Sequence, residues 1–214
     1  MDSLKAIIFD VSGTLLNDIH VVWKANSDAY EAVGLDGFQT LEEFREKFKM
    51  PVPDFHRENG VPEHLVETVD LAFRQAYPKY ADRVSIFPEV IDVLDALKRK
   101  QMLLGVASNI PSRFLREHLS GFGIDGYFDA VVGQEDAEAQ KPSPAPILAA
   151  LKKLGVLPHE AMYVGDMEED LRAAKAAETR VAAIVRDEGY HPLHRLQKHD
   201  PHYLITDLRE LLPD

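Results

Sequence analysis

The chain has no cysteine. That excludes disulfides, thiolate metal sites and any mechanism built on a cysteine nucleophile. Basic residues are few beside acidic ones, 24 against 36, which gives a formal net charge of -12. No Lys/Arg-rich run breaks this balance, so the electrostatic footprint of a nucleic-acid binder is missing. Long apolar stretches are lacking too. None approaches the ~18 residues that a membrane helix needs, and the chain runs from Met1 into its first apolar segment without a signal-peptide pattern. A cytoplasmic protein with no membrane or nucleic-acid partner is expected.

What is present describes an ordinary globular protein: 45% hydrophobic and 28% charged residues over 214 positions, enough to bury a full core. The acidic excess also suits a protein that collects a divalent cation. Its most informative stretch is the apolar run Ala6, Ile7, Ile8 and Phe9, which leads into Asp10 and then a turn carrying Ser12, Gly13 and Thr14. A short continuous apolar run reads as a strand buried on both faces, with Asp10 at its carboxyl end. In open parallel sheets ligands bind at that edge.

From about residue 17 to 84 the periodicity is helical throughout. Residues 19–33 repeat at helical spacing, Thr40 and Glu43 fit a capping box, Pro51 and Pro53 read as helix breakers, and Pro62 opens a long helix. From residue 85 onward, strands and helices alternate. Apolar strands are expected at 103–107, 128–132, 161–165 and 180–185, with a short last one at 203–205. This rhythm indicates βαβ units. The expected fold is α/β, a Rossmann-like, doubly wound parallel sheet formed by 1–16 and 85–214, with an inserted all-α cap over 17–84. Residues 186–201 read as surface loop, and the nearby histidines 191, 194, 199 and 202 fit no standard zinc spacing.

Each of the main strands delivers polar groups at or just beyond its carboxyl end: Asp10, then Ser108 with Asn109, then Lys141, then Asp166 with Asp170. Parallel topology would bring these ends into one cleft. The ordered set Asp10, Ser12, Gly13 and Thr14; Ser108 and Asn109; Lys141 and Pro142; and Gly165, Asp166 and Asp170 resembles the haloacid dehalogenase superfamily, most closely its phosphoglycolate-phosphatase-like members with a small α-helical cap. The resemblance spans essentially the whole chain.

It implies a hydrolase that uses Mg²⁺ and acts on a small phosphorylated metabolite, as monomer or homodimer. Asp10 would be the nucleophile and form an aspartyl-phosphate. Asp10 and Asp166 would offer hard oxygen ligands to Mg²⁺, with the Ser12 carbonyl as a third and Asp170 supporting the metal site. Gly13, Thr14, Ser108, Asn109 and Lys141 would hold the phosphoryl group, and Lys141 would offset its charge. Arg45 and Lys49, with His56, would reach the substrate from the cap.

One position departs from the pattern. Phosphatases of this family carry a second Asp two residues after the nucleophile as general acid and base, and here that residue is Ser12. A serine hydroxyl is too weak an acid to replace it, so His20 or a water is a possible stand-in. The departure keeps alternatives open: a phosphonate hydrolase using Lys24, Lys47 or Lys49 as an imine-forming lysine, a metal-free dehalogenase, or a protein that binds a phosphorylated ligand without turnover.

Overall fold

The computed structural model describes residues 4–212. The first strand, β1 (Ala6–Phe9), is buried at all four positions. After it the chain forms β2 (Leu16–Asn17) and enters helices α1 (Ile19–Ala32), α2 (Leu41–Lys47), α3 (Val52–Glu58) and α4 (Val66–Ala76). It returns through β3 (Ser85–Ile86), which pairs antiparallel with β2. Alternation then begins: α5 (Val90–Arg99), β4 (Leu103–Ala107), α6 (Ser112–Gly121), β5 (Ala130–Val132), α7 (Ala145–Leu154), β6 (Ala161–Gly165), α8 (Glu168–Ala176), β7 (Arg180–Ile184), α9 (Leu193–Leu196) and β8 (Tyr203–Ile205).

Six strands form one sheet in the order β5-β4-β1-β6-β7-β8. Every pairing in it is parallel. This is the expected doubly wound α/β core, and the alternation along β1 explains its two faces. Ile7 and Phe9 point into one cluster with Val93, Leu94 and Leu115 of α5 and α6. Ala6 and Ile8 point into the other, with Ile147, Leu151 and Leu171 of α7 and α8. Burying each large apolar side chain stabilises the fold by about 1.5–3 kcal/mol. The central strand that ends in Asp10 is therefore anchored from both sides.

The helical segment builds a third hydrophobic cluster, rich in aromatics, which Met167 and Tyr190 join from the core. Phe38 stacks on Phe55 at 5.4 Å between ring centres and meets Phe44 edge-on at 5.3 Å. Thr40 caps α2 as its sequence predicts, its hydroxyl accepting from the Glu43 N–H at 3.0 Å. The prolines differ from expectation. Pro51 and Pro53 do not merely end α2: Pro51 is the N-cap of α3 and Pro53 lies in its first turn. A helix's first N–H groups have no intrahelical acceptor, so proline costs nothing there.

The stretch 186–201 is also more than a surface loop. It contains α9, and His191 within it is fully buried. Its Nδ1 accepts from the Glu168 N–H at 2.9 Å, and its Nε2 lies 2.9 Å from the Phe48 carbonyl of the helical segment. Arg195 of α9 donates to the carbonyls of Arg45, Glu46 and Phe48, which the end of α2 leaves without helical partners. Arg195 is held in turn by Glu168 at 2.9 Å. The Met50 N–H adds a bond to Glu169 at 3.0 Å.

Candidate active site

The β1 residues deliver Asp10 to the carboxyl edge, β6 delivers Asp166, and the first turn of α8 delivers Asp170. One carboxylate oxygen from each lies within 4.8 Å of the others, and all three residues are buried. Among the described residues this is the one group of carboxylates and histidines close enough to share a cation. Glycines make the approach possible. Gly13 sits at φ +74°, and a Cβ there would fall 2.1 Å from an Asp166 oxygen. A Cβ at Gly165 would come within 2.5 Å of Asp170. Both glycines of the sequence pattern are thus fixed by the packing of the carboxylates.

Lys141 is the cation in this cluster. Its ammonium has three donors and three acceptors: Asp10 Oδ1 at 2.7 Å, Asp170 Oδ1 at 2.6 Å and the Tyr163 hydroxyl at 2.8 Å. Burial alone would lower its pKa, but the charges of Asp10 and Asp170 more than offset that and raise it. Asn109 fixes the Lys141 peptide from both sides, donating to its carbonyl at 3.0 Å and accepting from its N–H at 2.8 Å. Asn109 therefore serves the site through Lys141, with both ends of its amide engaged. Ser108 is buried at the end of β4, where its hydroxyl faces the Ile110 N–H at 3.4 Å. Thr14 donates to Asp166 at 3.3 Å.

One ammonium does not balance this many carboxylates. Burial raises the Asp10 pKa to about 6 even though Lys141 opposes the shift. Burial, reinforced by the charge of Asp170, raises Asp166 well above its ordinary range. A cluster of hard, buried oxygen donors with a charge deficit fits a small divalent cation. Asp170 already has its oxygens engaged by Lys141, Tyr163 and the Met167 N–H at 3.0 Å. Asp10 and Asp166 are better placed as direct ligands.

The cap residues proposed from sequence are not gathered around these groups. Lys49 is ion-paired with Glu58 within the cap. Arg45 donates to the carbonyls of Asp187 at 2.7 Å and Arg186 at 3.2 Å, so it joins the helical segment to the core. His56 is buried against Tyr30, 3.1 Å from its hydroxyl, inside the aromatic cluster of the cap. Lys47 pairs with Glu43 at 2.6 Å, the Lys24 ammonium lies over Trp23, and His20 faces Glu188 at 3.3 Å.

Sequence reading missed two groups, Asp18 and Tyr190. Asp18 occupies the N-cap of α1 without capping it. Its buried carboxylate accepts instead from the Ser12 hydroxyl at 2.6 Å and from the Tyr190 hydroxyl at 3.1 Å. Burial raises the Asp18 pKa to about 6 against these two hydrogen bonds, and the charge of Asp10 pushes the same way. The Tyr190 backbone N–H also holds Asp166, at 2.8 Å. The only local signal was an Asp just before a helix, which reads as an ordinary cap.

Residues 7–184 match the family described as haloacid dehalogenase-like hydrolases. The chain belongs to that family. Phosphoglycolate phosphatase 1 of Pseudomonas aeruginosa is 28% identical to this hydrolase over 98% of the chain and 79% of its own length. Pyrophosphatase PpaX of Oceanobacillus iheyensis is 27% identical over 98% of the chain and 96% of its own length. A haloacid dehalogenase-like family hydrolase from Streptococcus pneumoniae has the same fold, with a TM-score of 0.87 at 20% identity over 99% of this chain and 98% of that one.

Proposed function

We propose that this hydrolase is a Mg²⁺-dependent phosphatase that acts on a small phosphorylated metabolite through an aspartyl-phosphate on Asp10. The observation that carries the reading is the buried trio Asp10, Asp166 and Asp170 with Lys141 bonded to two of its members. Relatives named phosphoglycolate phosphatase and pyrophosphatase support a phosphorylated small molecule as substrate. Phosphoryl transfer needs mainly positioning and charge compensation, and the cluster is built for both.

In this reading an Asp10 oxygen attacks phosphorus in line with the leaving oxygen, and water then cleaves the resulting acyl phosphate. Lys141 holds the nucleophile in place and offsets charge on the transferring group. The Ser108 hydroxyl binds a phosphoryl oxygen. Asp10 and Asp166 would hold Mg²⁺, which when bound neutralises the carboxylates and polarises the phosphoryl group. The helical segment 17–84 acts as a cap that excludes water.

The test is a screen of the purified protein against alkyl, aryl and acyl phosphates, pyrophosphate and phosphonates, with Mg²⁺ and with excess chelator. Metal-dependent phosphate release is the expected result. Turnover of haloacids in chelator would replace the phosphatase reading with a dehalogenase.

A further inference from the structure

The missing carboxylate at position 12 leaves the proposed reaction without an acid for the leaving oxygen and without a base for water. We infer that Asp18, acting through the Ser12 hydroxyl, takes that place; the inference rests on the phosphatase reading above. Asp18 is a positioning residue here, because it reaches the reacting atoms only through Ser12.

Three features of the structure carry the inference. The Ser12 hydroxyl and the Asp18 carboxyl group lie 2.6 Å apart, a short O–H···O separation along which a proton can pass either way. Asp18 stands at a helix N-cap, yet its side chain turns away from the helix N–H groups that an N-cap Asp ordinarily binds. Its second oxygen is fixed by Tyr190, whose backbone N–H holds Asp166, so the carboxylate is oriented relative to the cluster.

The proton accounting closes. While Asp10 attacks, the P–O bond to the leaving group breaks and its electron pair stays on the leaving oxygen. The Ser12 hydroxyl gives that oxygen its proton and takes one from the Asp18 carboxyl. In the second half, water attacks phosphorus and passes a proton to Ser12 Oγ as the Ser12 proton returns to Asp18. The bond from phosphorus to Asp10 breaks, releasing phosphate and the free carboxylate. The sum is one ester and one water converted into one alcohol and one phosphate.

The experiment compares an alkyl phosphate with p-nitrophenyl phosphate at saturating Mg²⁺ in wild type, Asp18→Asn, Ser12→Ala and the exchange variant Ser12→Asp/Asp18→Ser. General acid help is worth about 10²–10⁴ in rate. In Asp18→Asn, kcat/KM for the alkyl ester should therefore fall at least about 100-fold, while the aryl ester, a good leaving group, falls less than about tenfold. Ser12→Ala should show the same selectivity. Loss of the base should also let a phosphoenzyme accumulate on Asp10, visible by intact mass after an acid quench of Asp18→Asn with the aryl ester. The exchange variant, with its carboxylate back at position 12, should recover alkyl turnover. Equal losses on both esters, or no phosphoenzyme and no recovery, would overturn the relay while leaving the phosphatase reading intact. Failure of wild type to hydrolyse either ester would overturn both.

Discussion

Replacing Lys141 with methionine keeps the length of the side chain and removes all three of its hydrogen bonds, to Asp10, Asp170 and Tyr163. Two buried carboxylates then face each other with no counter-charge. Breaking a buried ion pair from one side costs about 3–5 kcal/mol. Relief comes from Asp10, whose pKa already stands at about 6 with the lysine in place and would rise without it. Taking up a proton limits the added Asp10 share to about 1.4 kcal/mol per pH unit between its wild-type value of about 6 and the solution. At pH 8 the expected loss is about 3 kcal/mol, or a Tm lower by roughly 6–12 °C for a chain of this size. The deficit should shrink at pH 5.5, where Asp10 is protonated more readily, and saturating Mg²⁺ should recover part of it. Urea unfolding of wild type and Lys141→Met at both pH values, with and without Mg²⁺, measures each quantity. A difference below about 1 kcal/mol at pH 8 would refute the view that Lys141 holds the cluster together.

Asp10→Asn should abolish turnover while circular dichroism stays native, because the amide keeps the shape but not the nucleophile; wild-type rates in this variant would remove the mechanism. Asp166→Ala should raise the Mg²⁺ concentration for half-maximal activity at least about tenfold, as one of the two proposed carboxylate ligands is lost; an unchanged metal titration would exclude Asp166 as a ligand. The Asp10 and Asp18 carboxyls, raised from 3.8 to about 6, bind protons more tightly folded than unfolded, so their cost is absent below about pH 3.8 and complete above about pH 6. In chelator, Asp18→Asn should match wild type near pH 4 and be more stable by roughly 1–3 kcal/mol at pH 7.5; equal stability at both would show that Asp18 carries no burial cost. His191 has the opposite sign: burial lowers its pKa to about 3, so its contribution is whole above the unfolded value of 6.5 and is lost as pH falls below it. His191→Ala should cost about 1–3 kcal/mol at pH 7.5 by orphaning the Glu168 N–H and leaving the Phe48 carbonyl with Arg195 alone, and guanidinium melts that show no loss would discount this tie between the helical segment and the core.

The parts of the molecule legible in sequence were those written in local periodicity and turn chemistry. Apolar runs marked β1, β4 and β6 with their chemistry-bearing ends, because a strand buried on both faces leaves no polar residue inside it. Pro51 and Pro53 marked the break after α2 but not the start of α3, since proline stops one helix and starts another with equal ease and only the following residues decide which. Arg45, His56 and Lys49 were chosen for charge and location, and the structure commits them to a loop carbonyl pair, an aromatic cluster and a glutamate. Asp18, Tyr190 and His191 were invisible for a different reason. Their roles come from partners 6 to 172 positions away in the chain, which no local pattern encodes.

The bond between Ser12 and Asp18 has a consequence for timing. Ser12 belongs to the turn after β1, whereas Asp18 is the N-cap of α1, the leading helix of the proposed cap, and the short β2–β3 pair lies at the joint. A swing of the proposed cap about that joint would pull the two side chains apart. Proton transfer would then be possible only with the lid down, and an acyl phosphate formed under it would be spared hydrolysis whenever the lid lifts early. A chain without cysteine lends itself to the measurement. Fluorophores on cysteines introduced at Leu71 of the cap and Leu148 of the core, both exposed, report the swing directly. Phosphoenzyme lifetime should lengthen under conditions that hold the labels apart, and a lifetime indifferent to their separation would uncouple the lid from the proton.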